Sequence, residues 1–181
     1  SINWDEALRS TYKNGKPFFL SSVSSGDLNF IKALHDKNIF NQKPAHLPSL
    51  LSQSFSDATL LKCAVNCDHE SNRVELLSTL FSIGSDKIHD IALYEFSSTE
   101  LSSAIGAVSN SFESLYDKDY GSEKVDQDTQ IIFDLVDYCH DNSISIDQES
   151  LKCHLKNATK YPQKIAKLMT LCNEDSTSFL N

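Results

Sequence analysis

The sequence predicts an all-α protein, a solenoid of helical pairs with degenerate repeats, and three observations carry that expectation. Five glycines and four prolines among 181 residues leave few interruptions to helices. Apolar residues recur at helical spacing in one segment after another. A short motif also returns, because Leu61-Lys62-Cys63 reappears as Leu151-Lys152-Cys153, 90 positions later. That separation is close to three units of about 30 to 33 residues, the period of stacked helical repeats.

The elements follow in chain order as one repeat domain over 1–181. Residues 1–14 read as a capping helix, with Ile2, Trp4, Ala7 and Leu8 near one face and Asn14-Gly15 as its stop. Pro17 opens a short helix over 18–23, which breaks at Ser25-Gly26 and resumes over 27–37 with Leu28, Ile31 and Leu34 in register. Asn38 stands where a left-handed residue is expected. An insertion loop over 38–56 contains Pro44, Pro48 and the apolar Leu47, Leu50, Leu51 and Phe55, enough for one extra helical turn.

Asp57 or Thr59 caps a helix over 60–66, and 74–83 forms the next before Gly84, expected to end it at positive φ. Helices are then expected over 86–96, 99–108 and 112–118, with boundaries blurred by the chain's 27 serines. Residues 119–128 form an acidic loop, 130–140 an amphipathic helix, and the last pair spans 148–157 and 162–171.

Charge narrows the function classes. Sixteen basic and twenty-five acidic residues give a net charge of -9, which repels a phosphate backbone, so no nucleic-acid binding is expected. No apolar run reaches the roughly 20 residues needed to span a bilayer, so no membrane spanning is expected either. The imbalance is local: 95–149 holds thirteen acids and two lysines, whereas 150–181 holds five lysines and two acids. Solvated helix faces explain such runs, and an acidic partner-binding surface is the alternative. Ser1 in place of methionine points to a processed or excised segment.

Chemistry-bearing residues form no recognisable motif. Cys63, Cys67, Cys139, Cys153 and Cys172 are an odd set in apolar contexts, read as buried, reduced thiols of a cytoplasmic protein. Three places combine cysteine with histidine: Cys63, Cys67 and His69; Cys139-His140; and Cys153-His154. None supplies the two closely spaced ligand pairs of a tetrahedral zinc site. Neither a glycine-rich phosphate loop nor a nucleophile elbow is present, so no cofactor, no metal and no catalytic residue is expected. The five phenylalanines Phe18, Phe19, Phe30, Phe40 and Phe55, with Trp4 and Tyr12, place the better core in the first third or leave part of it as an exposed anchor patch.

Two segments carry a family resemblance. Thr59-Leu60-Leu61-Lys62-Cys63-Ala64-Val65 and Glu75-Leu76-Leu77-Ser78-Thr79-Leu80-Phe81-Ser82-Ile83-Gly84-Ser85-Asp86 resemble the two halves of the ankyrin repeat. Gly26-Asp27-Leu28-Asn29-Phe30-Ile31-Lys32-Ala33-Leu34 is similar to its second half. Leu60 replaces the family's proline, Lys62 its histidine, and His154 an alanine, while 87–147 follow only the coarse pattern.

The resemblance implies a protein-protein interaction module whose turn tips and first helices form a concave groove. At this chain's positions the partner-binding residues would be Asp57, Lys62, Asn66, Glu149, Lys152 and Lys156. The partner expected is another protein. Abundant serine and lysine, degenerate repeats and the missing methionine would also suit a bacterial effector domain delivered to a host cytosol. Two other classes stay open, a helical enzyme with a cysteine and histidine site, and a structural oligomerisation domain.

Overall fold

The computed structural model describes residues 2–88, 90–115 and 122–146, and these are mostly helical. Where the sequence suggests one repeat domain, the packing divides the chain into two compact units, Ser1–Phe96 and Ser97–Asn181.

The first unit opens with α1 (Trp4–Arg9), capped by the Asn3 side chain, which accepts from the Glu6 N–H at 3.3 Å. Asp5 and Glu6 in its first turn and Arg9 in its last complement the helix dipole. The helix ends earlier than the expected capping helix over 1–14, because Ser10 turns extended and its hydroxyl donates to the Ala7 carbonyl at 2.6 Å. Residues 11–17 instead fold back as a tight hairpin, with Thr11 bridged to Pro17 and the Tyr12 N–H donating to the Lys16 carbonyl at 3.0 Å. Gly15, at φ +83°, makes its turn.

Two helices follow, α2 (Phe18–Ser25) and α3 (Leu28–Asp36). Gly26 between them is left-handed, at φ 76°, and its N–H reaches the Ser22 and Val23 carbonyls. Asp27 then caps α3 through the Phe30 N–H at 3.1 Å, and Asn38 takes the left-handed position after it, at φ 58°. The insertion over 38–56 is structured: it contains α4 (Ile39–Gln42), a 3-10 turn (Pro44–His46), α5 (Leu47–Leu51) and β1 (Ser54–Phe55). It buries Phe40, Leu47, Leu50 and Leu51, which gives it a hydrophobic anchorage of its own.

β1 pairs antiparallel with β2 (Ala58–Thr59), Ser54 opposite Thr59 and Phe55 opposite Ala58. Ser56 and Asp57 between them both have positive φ, 48° and 65°, the signature of a two-residue type I′ turn. Thr59 caps α6 (Leu60–Val65) through the Lys62 N–H at 3.3 Å. A 3-10 turn (Glu70–Asn72) leads into α7 (Arg73–Ser85).

Gly84 does not end α7 at positive φ; it lies inside the helix. Its missing side chain serves packing, since a Cβ there would come within 3.2 Å of the Tyr94 carbonyl oxygen. The helix expected over 86–96 is replaced by a second two-residue hairpin, β3 (Lys87–Ile88) with β4 (Ile91–Ala92). Asp90, at φ 65°, takes the left-handed turn position that aspartate tolerates better than most residues.

Packing in this unit is layered. α2 lies against α6 and α3 against α7, while α2 packs on α3 and α6 on α7. Phe19, Leu20, Val23 and Ile31 from the first pair and Leu60, Leu61, Ala64, Leu76, Leu77 and Leu80 from the second are sealed from solvent. Fully burying each large aliphatic side chain contributes about 1.5–3 kcal/mol. Edge-on aromatic contacts, Phe18 with Phe30 at 6.1 Å and Phe19 with Phe40 at 5.9 Å, extend this core. A Lys32–Glu75 ion pair joins α3 to α7 at the surface.

The second unit contains α8 (Ser98–Leu115) packed on α9 (Ser122–Asp141). A capping box starts α8: the Ser97 hydroxyl accepts from the Glu100 N–H at 3.2 Å, and the Glu100 carboxylate from the Ser97 N–H at 2.7 Å. Leu101, Ala104, Ile105 and Val108 form its buried stripe, opposite Ile131, Ile132, Leu135, Val136 and Cys139 of α9.

Residues 122–128 of the expected acidic loop are therefore helical, and 119–121 lie outside the described residues. Two bonds close α9, Ile144 N–H to the Cys139 carbonyl at 2.8 Å and Ser143 N–H to His140 at 3.2 Å, with Ser143 left-handed at φ 56°. The pair expected over 148–157 and 162–171 lies outside the described residues.

Candidate functional site

The candidate site lies on the first unit, where hairpin tips and first helices meet. The 11–17 hairpin neighbours β1–β2, because a Cβ at Gly15 would lie 4.0 Å from the Phe55 ring. Asp57 sits exposed at the turn of the second hairpin, held there by its left-handed backbone. Lys62 is half-buried on α6 and Asn66 is exposed at the C-cap of that helix. Four positions apart, Lys62 and Asn66 share one helix face, and Asp57 precedes them on the adjoining hairpin. Glu149, Lys152 and Lys156 lie outside the described residues.

Two further exposed residues lie on the hairpins of this unit. Tyr12 on the first hairpin is 50% exposed and Ile91 on β4 is 72% exposed, large apolar side chains at the surface of turns. Both had a signal in the sequence. Asn14-Gly15 is a strong hairpin dipeptide as well as a helix stop, and Ile88-His89-Asp90-Ile91 places two apolar residues around a two-residue turn.

The thiols of this unit face inward. Cys63 and Cys67 are free and buried. Burial pushes the Cys63 thiol above its ordinary value, against the opposing pull of the Lys16 charge and a hydrogen bond from Ser24. Burial likewise raises Cys67, whose Sγ donates to the backbone carbonyl of His69 at 3.3 Å. His69 therefore meets this sulfur through its main chain and not its imidazole. Cys139 is also free and buried, on α9, whereas Cys153 and Cys172 lie outside the described residues. Among the described residues, no group of three or more His, Cys, Asp or Glu side chains is placed to hold a metal ion.

The geometry defines a class of protein: a mostly helical chain whose first unit carries helix pairs behind β-hairpin turns. Compared with family models, with curated proteins and with solved structures, the chain matches none. No described helix is long and apolar enough to cross a membrane.

Proposed function

We propose that the first unit is a short stack of divergent ankyrin-like repeats and that its hairpin tips and first helices bind another protein. One observation carries this reading. A hairpin, a first helix, a turn and a second helix follow one another over 11–36 and again over 54–85, with α2 on α6 and α3 on α7. Like elements stack on like, which is how repeat arrays bury a core that no single unit could close. β3–β4 opens a third turn of the same kind.

Asp57, Lys62 and Asn66 supply polar contacts on this face, Tyr12 supplies an aromatic anchor of the type enriched at binding hot spots, and Ile91 adds exposed apolar surface. Free thiols at Cys63, Cys67 and Cys139 suit a reducing compartment such as the cytosol.

Affinity capture from a cell lysate tests the reading. The intact chain is compared with a Tyr12→Ser, Ile91→Ser double variant and a Lys62→Glu, Asn66→Glu double variant, each checked for an unchanged melting temperature. A protein retained by the intact chain and lost from both variants supports the assignment. Retention that survives all four substitutions overturns it.

A further inference from the structure

Away from the hairpins, a cavity of about 110 Å³ opens between α1 and the 38–56 insertion. Its chemistry runs against the composition of the chain. Asp5 lines it with a side chain only 17% exposed, and three basic residues converge on that carboxylate. Arg9 donates to Oδ2 at 2.8 Å, the Lys43 ammonium stands 3.6 Å from the same oxygen, and His46 Nδ1 lies 2.7 Å from Oδ1. Trp4, Phe40 and Leu50 line the apolar side.

Two permanent cations around one carboxylate leave one positive charge, in a chain whose net charge is -9. Their donors are underused as well. Arg9 commits one guanidinium nitrogen to Asp5, and among the described residues its other donors have no protein partner, nor has His46 Nε2. Asp5 occupies both its oxygens with these bases and so holds them in place before any ligand arrives.

We propose that this cavity binds a small amphiphilic carboxylate, its anionic head on Arg9 and Lys43 and its apolar body against Trp4, Phe40 and Leu50. A monoanion balances the charge that the two permanent cations leave over Asp5. The planar carboxylate also matches the geometry of the guanidinium donors. An apolar body displaces water from the Trp4 side, which an inorganic anion cannot do.

Trp4 is the only tryptophan of the chain and lines this cavity, so its fluorescence reports on binding there. The probe is sodium hexanoate titrated at constant ionic strength. A saturable change is expected, weakened at least about tenfold for the uncharged hexanamide and at least about tenfold for hexanoate on the Arg9→Gln, Lys43→Gln variant. Arg9 and Lys43 are about half-exposed at 45% and 55%, so the substitutions leave the fold standing.

Inorganic phosphate should not displace hexanoate at equal concentration. The absence of a saturable change, equal affinity for hexanamide, unaltered affinity in the variant, or displacement by phosphate each overturns the proposal. The hexanamide arm uses the unmodified protein and stands whether or not the variant folds.

Discussion

Asp5 and His46, 41 positions apart, meet through a 2.7 Å contact between carboxylate Oδ1 and imidazole Nδ1. This contact ties the first helix to the insertion that the sequence marks only as a loop. Desolvation pulls the Asp5 carboxyl upward, but hydrogen bonds from His46 and Arg9, together with their charges, outweigh it and hold the group below its ordinary value.

A carboxyl with a depressed folded-state pKa stabilises the fold when ionised. Its contribution is fully present above the unfolded value, about 3.9, and is lost as pH falls through the lower folded value. Melting temperatures of the wild type and Asp5→Asn, measured from pH 7 down to pH 3, should differ most at neutral pH and converge in acid. A gap that widens with acid would reverse the assigned sign.

Gly26 and Gly84 should respond differently to alanine. Gly26 is left-handed, and a Cβ there would stand 3.0 Å from both the Cys67 sulfur and the His69 Cβ. Gly26→Ala is expected to cost at least about 1 kcal/mol from backbone strain, with crowding added. At Gly84 the helical backbone favours alanine by about 1 kcal/mol, offsetting the 3.2 Å approach to the Tyr94 carbonyl. Urea denaturation of the two variants ranks them, and a larger loss at Gly84 would contradict these roles.

Leu61 and Leu77 have no accessible surface and sit in neighbouring helices of one layer. Replacing either with alanine removes three carbons from a packed interior and should cost about 2–5 kcal/mol. Chemical denaturation followed by circular dichroism measures the loss. A change below about 0.5 kcal/mol, typical of surface sites, would mean that this layer is not a core.

Native Cys63 and Cys67 should resist alkylation, because burial both shields them and disfavours the thiolate that reacts. Iodoacetamide at pH 8, read site by site by mass spectrometry, should label them far more slowly in buffer than in concentrated urea. Equal rates in the two conditions would place these sulfurs at the surface.

Much of the first unit was legible in the residues. The Ser25-Gly26 break, the left-handed Asn38, the Thr59 cap and the helices on either side of the 68–72 turn all appear where local chemistry puts them. Misreadings cluster where one residue serves two purposes. Asn14-Gly15 can stop a helix or turn a hairpin, and only the Thr11–Pro17 pairing chooses the hairpin. Gly84 looked like a helix terminator, yet α7 continues through it because the glycine makes room for the Tyr94 backbone. The 86–96 stretch has enough apolar residues for a helix, and the pairing of Lys87 with Ala92 settles it as a strand pair.

The candidate sites divide along the same line. Lys62 and Asn66 share a face by helical spacing alone, a local property that four peptide units determine. The exposure of Tyr12 and Ile91 is a property of the hairpins that carry them, not of their spacing in the chain. The cavity around Asp5 could not be read at all, since Arg9, Lys43 and His46 come from segments with no common motif. A mostly helical chain, the caps and left-handed turns, and the apolar faces can be read from the residues alone, because those depend on neighbours a few residues away. Which helix faces meet, and which distant charges converge on one carboxylate, depends on contacts between segments far apart in the chain, as between Asp5 and His46, and the folded structure alone settles those.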